Sequence, residues 1–147
     1  MDVILGGHPH VAEPMEKYTY QDREGRTRQG LVIYSLGDFV TYHPLSKDSK
    51  LTFVVRFEVV KGMLEGQERT LITEFKMMPV YIMAEEKEDG TYDCRLLKFY
   101  NILNDKPVNG KYKYNLDPQM RKDLPRLEKL LYKIVLPKKY QEVLYPG

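Results

Sequence analysis

Residues 3–10 read Val-Ile-Leu-Gly-Gly-His-Pro-His, and residues 31–37 read Leu-Val-Ile-Tyr-Ser-Leu-Gly. Each is a short apolar run closed by glycine, the pattern of a buried strand that turns at once into a loop. Two strands that both end at glycine-containing loops form a recurring arrangement. It places side chains at the C-terminal edge of a sheet, where α/β and layered proteins gather their sites. His8 and His10 follow the first of these strands directly.

Outward from this pair, the polar stretch between them centres on Glu24-Gly25, which predicts a hairpin tip. From Leu51 the sequence alternates. Leu51, Phe53, Val55, Phe57 and Val59 share one face and Thr52, Arg56 and Glu58 the other, as in a half-buried antiparallel strand. Residues 62–67 supply turn residues, and a further strand region follows over 70–83. Pro79 within it has no N–H to give a ladder and marks an edge, a bulge or a break. After a turn over 85–93, residues 94–103 (CRLLKFYNIL) read as one more strand, a reading favoured over a helix by Tyr92, Phe99 and Tyr100.

Residues 104–116 are polar and turn-rich, the composition of a surface loop. Asp117-Pro118 then supplies an N-cap and a proline for the first helical position. Met120, Leu124, Leu127, Leu130, Leu131 and Ile134 follow at helical spacing, with Pro125 a restart or kink, Asp123 a second candidate cap, and Pro137 a stop. The expected fold class is α+β: a small sheet of mainly antiparallel strands followed by a C-terminal helix. Three stretches are expected within a single domain fragment: 1–60, 61–104 and 105–147.

The bulk properties narrow the function. At 147 residues, with 42% hydrophobic and 30% charged residues, the chain has the composition of one globular domain or part of one. A net charge of +2 without a basic stripe or a recognised motif gives no support to nucleic-acid binding. The single cysteine, Cys94, excludes an internal disulfide and a cysteine-rich zinc module, and a buried structural thiol is expected there. No apolar run has the length of a membrane span, and the N-terminal residues lack the basic start of a signal peptide. The twelve tyrosines are expected mainly to pack the edges of the core. The lysines and arginines of the last third, interleaved with Asp117, Asp123 and Glu128, read either as a solvated face or as an attraction for an anionic polymer.

His8 and His10 carry the strongest chemical signal. A spacing of two, stiffened by Pro9, lets both imidazoles face one side, and neutral imidazole binds Zn, Mn, Fe or Ni. The glycines before them remove side chains where a metal or substrate approaches. The alternative is a loop whose histidines only hydrogen-bond or face solvent. His43 sits in no such context and reads as a loop histidine.

Gly7-His8-Pro9-His10, then Val11, Pro14 and Glu16, then Tyr34-Ser35-Leu36-Gly37 and Phe39 resemble the last motifs of the CapA-type family, the bacterial poly-gamma-glutamate capsule biosynthesis proteins. That family is similar to calcineurin-like metallophosphoesterases, whose final motif is Gly-His-x-His. Asp38 stands where the family usually has Asn, exchanging an amide for an acceptor-only carboxylate, and Glu13 stands where Gln is common. The likeness covers about the first 40 residues.

The resemblance implies a metallophosphatase-like layered β-sandwich of which this chain is the C-terminal part, with Met1 at an internal position. It implies His8 and His10 as ligands of a divalent metal (Mn, Zn or Fe), and Gly7, Glu16, Tyr34, Ser35, Gly37 and Asp38 as residues supporting the site. It assigns no catalytic residue within this stretch. The family's Asp-x-His, Gly-Asp-x-x-Asp and Gly-Asn-His motifs occur nowhere in these residues. Two imidazoles alone cannot hold a dinuclear pair of ions, which need bridging oxygens as well. The chain is therefore expected to bind no metal tightly and to be inactive alone, whatever hydrolase or transferase activity the complete protein has.

The other expectation is a non-catalytic, strand-rich module that binds an anionic surface polymer, the missing N-terminal half or another copy of the chain. A bacterial cell-surface location is implied by resemblance alone.

Overall fold

Strand β1 (Val3–Leu5) lies parallel to β3 (Thr27–Ile33), with Val3 opposite Leu31 and Leu5 opposite Ile33. Strand β2 (Met15–Gln21) pairs antiparallel on the other side of β3, giving a three-stranded sheet in the order β1-β3-β2. This is a computed structural model, and it describes residues 3–41, 43, 46–64 and 66–145. Met1, and Glu65 at the centre of one expected turn, lie outside the described residues.

The β2–β3 hairpin forms at the expected tip. Gly25 takes a φ of +74°, which a side chain would disfavour. The Asp22 carboxylate accepts from the backbone N–H of Glu24 and Arg26, at 2.9 and 3.0 Å, and from the Nε of Arg26 and Arg28, at 2.8 and 3.0 Å. Burial pushes that carboxyl up, but the hydrogen bonds from Arg26 and Arg28 outweigh it and hold the group well below the usual carboxylate range. The second expected strand ends at Ile33 rather than at Leu36. Beyond it only Leu36 is bridged, to Ala12, so Tyr34–Leu36 belong to the loop that leaves the sheet.

A second, antiparallel sheet has the order β4-β5-β6, from β4 (Leu51–Leu64), β5 (Gln67–Glu86) and β6 (Tyr92–Lys98). The architecture is thus mixed α+β, with two small, mainly antiparallel sheets and a C-terminal helix. Pro79 does not break β5. It stands opposite Phe53, and pairing with β6 begins only at Val80, so the nitrogen that lacks a hydrogen sits where one side of β5 has no ladder to supply. Leu51, Thr52 and Phe53 of β4 are all buried, so Thr52 departs from its expected outer face; the alternation holds from Phe53 to Phe57 and fails at Val59, which is 60% exposed. A register shift between Arg56 and Glu58, opposite a Glu74 with φ of +52°, re-aims the strand, and its distal half runs past the core into solvent.

Residues 94–103 correct the expectation of one continuous strand: β6 stops at Lys98, and Phe99–Leu103 form a short helix, α1. Phe99 and Ile102, three apart, are its buried residues, so helical spacing here won over the aromatic preference for a strand. Cys94 on β6 is free and only half-buried, so the expected fully buried thiol is not found.

Helix α2 (Pro118–Leu130) begins as expected: the Asp117 side chain accepts from the Met120 N–H at 2.8 Å, with Pro118 at the first position. Pro125 lies within the helix on its exposed side, and Asp123 caps nothing, because the helix is continuous through it. The chain continues through a π-helical turn (Leu131–Val135), and this change of winding leaves Ile134 exposed rather than on the apolar face.

One hydrophobic core joins both sheets and both helices. It takes Met15 and Ile33 from the first sheet, Leu51, Met77 and Tyr81 from the second, and Phe99, Ile102, Leu127, Leu131 and Val135 from the helical part. Of the twelve tyrosines, Tyr81 and Tyr140 are core residues. The end of the chain stitches the sheets together. The Tyr140 hydroxyl accepts from the Lys17 N–H on β2 at 3.2 Å, and the Tyr145 N–H donates to the Met77 carbonyl on β5 at 2.8 Å.

Candidate functional site

Because β1 and β3 are parallel, the loops that follow them leave the same edge of the sheet, and backbone hydrogen bonds zip those loops together. Gly6 N–H donates to the Ile33 carbonyl at 2.8 Å, and Leu36 N–H donates to the Gly6 carbonyl at 3.0 Å. Glu13 N–H donates to the Ser35 carbonyl at 3.0 Å, and Tyr34 N–H to the Pro14 carbonyl at 3.1 Å. Gly6 is required by this approach: a Cβ there would lie 1.9 Å from the Tyr34 carbonyl oxygen. Its absent side chain therefore admits the neighbouring loop rather than a ligand. Gly7 stands in open space, with nothing within 4 Å of an added Cβ.

The second loop is anchored from beneath. Ser35 is buried, and its Oγ accepts from the Gly37 N–H at 3.1 Å, while the Thr52 hydroxyl donates to the Leu36 carbonyl at 2.8 Å. Gly37 has a φ of +87°, and an added Cβ would come within 3.1 Å of the Leu51 carbonyl. This turn carries Asp38 inward to only 7% exposure.

There it meets the first loop. His10 Nδ1 lies 2.6 Å from Asp38 Oδ1, where a carboxylate oxygen accepts the ring N–H. His10 itself has a φ of +62°, and its side chain is 56% exposed. The other Asp38 oxygen, Oδ2, is buried without a hydrogen-bond partner in the protein, and so is Nδ1 of His43. The ring centre of His43 lies 5.7 Å from that of His10, and the His8 ring centre 6.3 Å from it. The fold thus brings together His8, His10, Asp38 and His43. The expectation of an isolated loop histidine at position 43 is corrected: the loop after β3 carries it to within 5.7 Å of the His10 ring.

Glu16 and Tyr34 pair with each other. The Tyr34 hydroxyl donates to Glu16 Oε1 at 2.6 Å on the exposed surface, and this hydrogen bond raises the Tyr34 pKa above its ordinary value. They brace β2 against the loop start.

The donor chemistry of the edge fits a divalent ion of borderline softness: imidazoles, a carboxylate and two orphaned buried polar atoms. Its spacing is open. Among the described residues no three His, Cys, Asp or Glu stand close enough to hold an ion as they are. No helix among the described residues is long and apolar enough to cross a membrane.

No curated protein and no solved structure matches the chain. Residues 1–43 match the family model described as bacterial capsule synthesis protein PGA_cap, a likeness that spans the whole first sheet, both loops and all three histidines.

Proposed function

We propose that this chain serves in the synthesis of a bacterial capsule or related surface polymer, at the cell surface, and that the edge where β1 and β3 end is its metal-holding part. The observation that carries this reading is the coincidence of two facts. The matching residues 1–43 are those whose loops are zipped together, and they bring His10 against a buried carboxylate with the His8 ring 6.3 Å from its own.

His8 and His10 are the ligands in this reading, with Asp38 fixing His10, and Gly37 with the buried Ser35 fixing Asp38. A bound Mn, Zn or Fe ion supplies Lewis-acid polarisation of an ester or amide oxygen. This reading keeps the expectation that the chain holds such an ion weakly and is inactive alone. The poly-gamma-glutamate substrate class and a metallophosphatase-like parent fold belong to the same reading and rest on the resemblance of the loop motifs.

A second reading, a non-catalytic module that binds an anionic polymer, has its own support. A cleft of about 750 Å³ separates the β2–β3 hairpin from the outer half of β5, and Lys17, Arg69, Lys76 and Arg28, the last paired with Asp22, stand on its walls with Glu74 and Glu142. In the last third, Arg121 is paired with Asp105 and Arg126 with Asp48.

One experiment separates the two. Cell-bound polymer is measured in the producing bacterium carrying either His8→Ala/His10→Ala or Lys17→Glu/Arg28→Glu. The metal-holding reading expects the histidine pair to abolish polymer. Normal polymer with that pair, and loss with the charge reversal, would transfer the case to the binding module.

A further inference from the structure

We propose that His43 is a third imidazole donor and Asp38 the positioning residue of a single divalent transition-metal site built on His8, His10 and His43. This rests on the metal-holding reading of the edge and extends it to two residues outside the Gly-His-x-His stretch.

Asp38 is the first observation. A carboxylate is driven to 7% exposure, one oxygen bound to His10 Nδ1 at 2.6 Å and the other buried without a protein partner. Leaving a buried charged oxygen unpaired is costly, and such atoms in native proteins mark a missing water or ion or a functional role. The charge selects the sign of the occupant: an anion is repelled by the carboxylate and a cation is attracted.

Its bond to Nδ1 also fixes which face of the His10 ring is available. With Nδ1–H given to Asp38, the lone pair of the neutral ring sits on Nε2. The His10 side chain is 56% exposed, and with Nδ1 engaged by Asp38, Nε2 is the nitrogen left to take a ligand. A carboxylate holding the far nitrogen of an imidazole is the usual support behind a metal-ligating histidine.

His43 is the second, independent observation. Its Nδ1 is buried and unpartnered, an unexplained polar atom on a ring 5.7 Å from that of His10. Two imidazoles that share a tetrahedral ion, with metal–nitrogen bonds of about 2.0–2.1 Å, have ring centres about 5 Å apart. The His10–His43 separation exceeds this by under about an ångström and the His8–His10 separation, 6.3 Å, by little more. The three rings do not hold an ion as they stand, so binding requires the loops that carry His8 and His43 to draw in toward His10.

The test is titration of the whole chain with Co²⁺ alone, read by its visible d–d absorption, for the unaltered protein, His8→Ala, His43→Ala, His43→Gln and Asp38→Asn. The expected result is one Co²⁺ per chain, with His43→Ala, His43→Gln and Asp38→Asn each weakening binding by about tenfold or more. Asp38→Asn should also move the d–d bands while the metal-free melting temperature does not fall, a combination that a merely structural role would not give. If His8→Ala removes binding while both His43 variants leave affinity and spectrum unaltered, the inference fails and the His8–His10 reading stands. Should the His43 variants unfold, hyperfine shifts of the His43 ring protons in the unaltered chain decide: their presence supports the site and their absence overturns it. No Co²⁺ binding by the unaltered chain also overturns it, leaving the polymer measurement to decide the wider reading.

Discussion

At the scale of the residue, Gly6 and Asp38 carry the site, and for opposite reasons. Gly6 has no side chain because the Tyr34 carbonyl occupies its place, 1.9 Å from where a Cβ would stand. Gly6→Ala must separate the two loops that carry the histidines, and overpacking of this kind costs about 3 kcal/mol. Urea unfolding should show that loss; a variant as stable as the parent would mean that the loops part freely. The Gly-Gly-His-Pro-His motif was legible in the sequence, but the physical reason for its first glycine was not, since the atom it accommodates comes from a residue 28 positions later. His43 escaped for the same reason. Nothing local distinguishes it, and its neighbours in space come from another strand's loop.

At the scale of the element, periodicity and capping were readable wherever a segment meets the core in one way along its length. The Asp117 cap and the β2–β3 hairpin form where local chemistry puts them. The misreadings fall where an element changes its relation to the core: Val59 beyond the register shift in β4, Phe99 where strand becomes helix, Ile134 where the helix widens.

The loop before α2 is held by one carboxylate. Asp105 accepts from the N–H groups of Lys113 and Tyr114, at 3.2 and 3.0 Å, and from Arg121 at 3.4 Å. Burial pushes this carboxyl up, but the backbone hydrogen bonds from Tyr114 and Lys113, helped by Arg121, outweigh it and lower its pKa. A carboxyl depressed on folding stabilises the protein above its unfolded pKa of about 4, and that contribution is lost as pH falls through the lowered folded value. Urea midpoints should therefore be unaffected by this group from neutral pH down to about 5 and fall at more acid pH. Asp105→Asn should start lower at neutral pH and show a shallower acid decline; an identical decline would remove Asp105 from the account.

At the scale of the whole molecule, two apolar surfaces stand uncovered among the described residues. β1 is an edge strand with Ile4 and Leu5 exposed, and the outer β4–β5 hairpin exposes Val59, Val60, Met63, Leu64 and Leu71. Exposed strand edges and apolar patches favour association. Light scattering should show mass rising with concentration, and Val60→Lys should reduce the effect. A concentration-independent monomer would contradict this. The alternation in residues 51–60 made this hairpin visible as a strand, but not that it outruns the core, because alternation records a strand's two faces and not where its packing partner ends.

The claim on which the account turns is that the edge shared by the β1 and β3 loops holds a divalent ion. It is tested most directly by following the imidazole nitrogens by nuclear magnetic resonance while Zn²⁺ is added to the chain. The account predicts that the His8 and His10 ring signals move progressively, as for weak binding in fast exchange, while the backbone signals of the two sheets stay in place. Ring signals that remain still through saturating Zn²⁺ would contradict it and leave the cleft between the sheets as the better place to look.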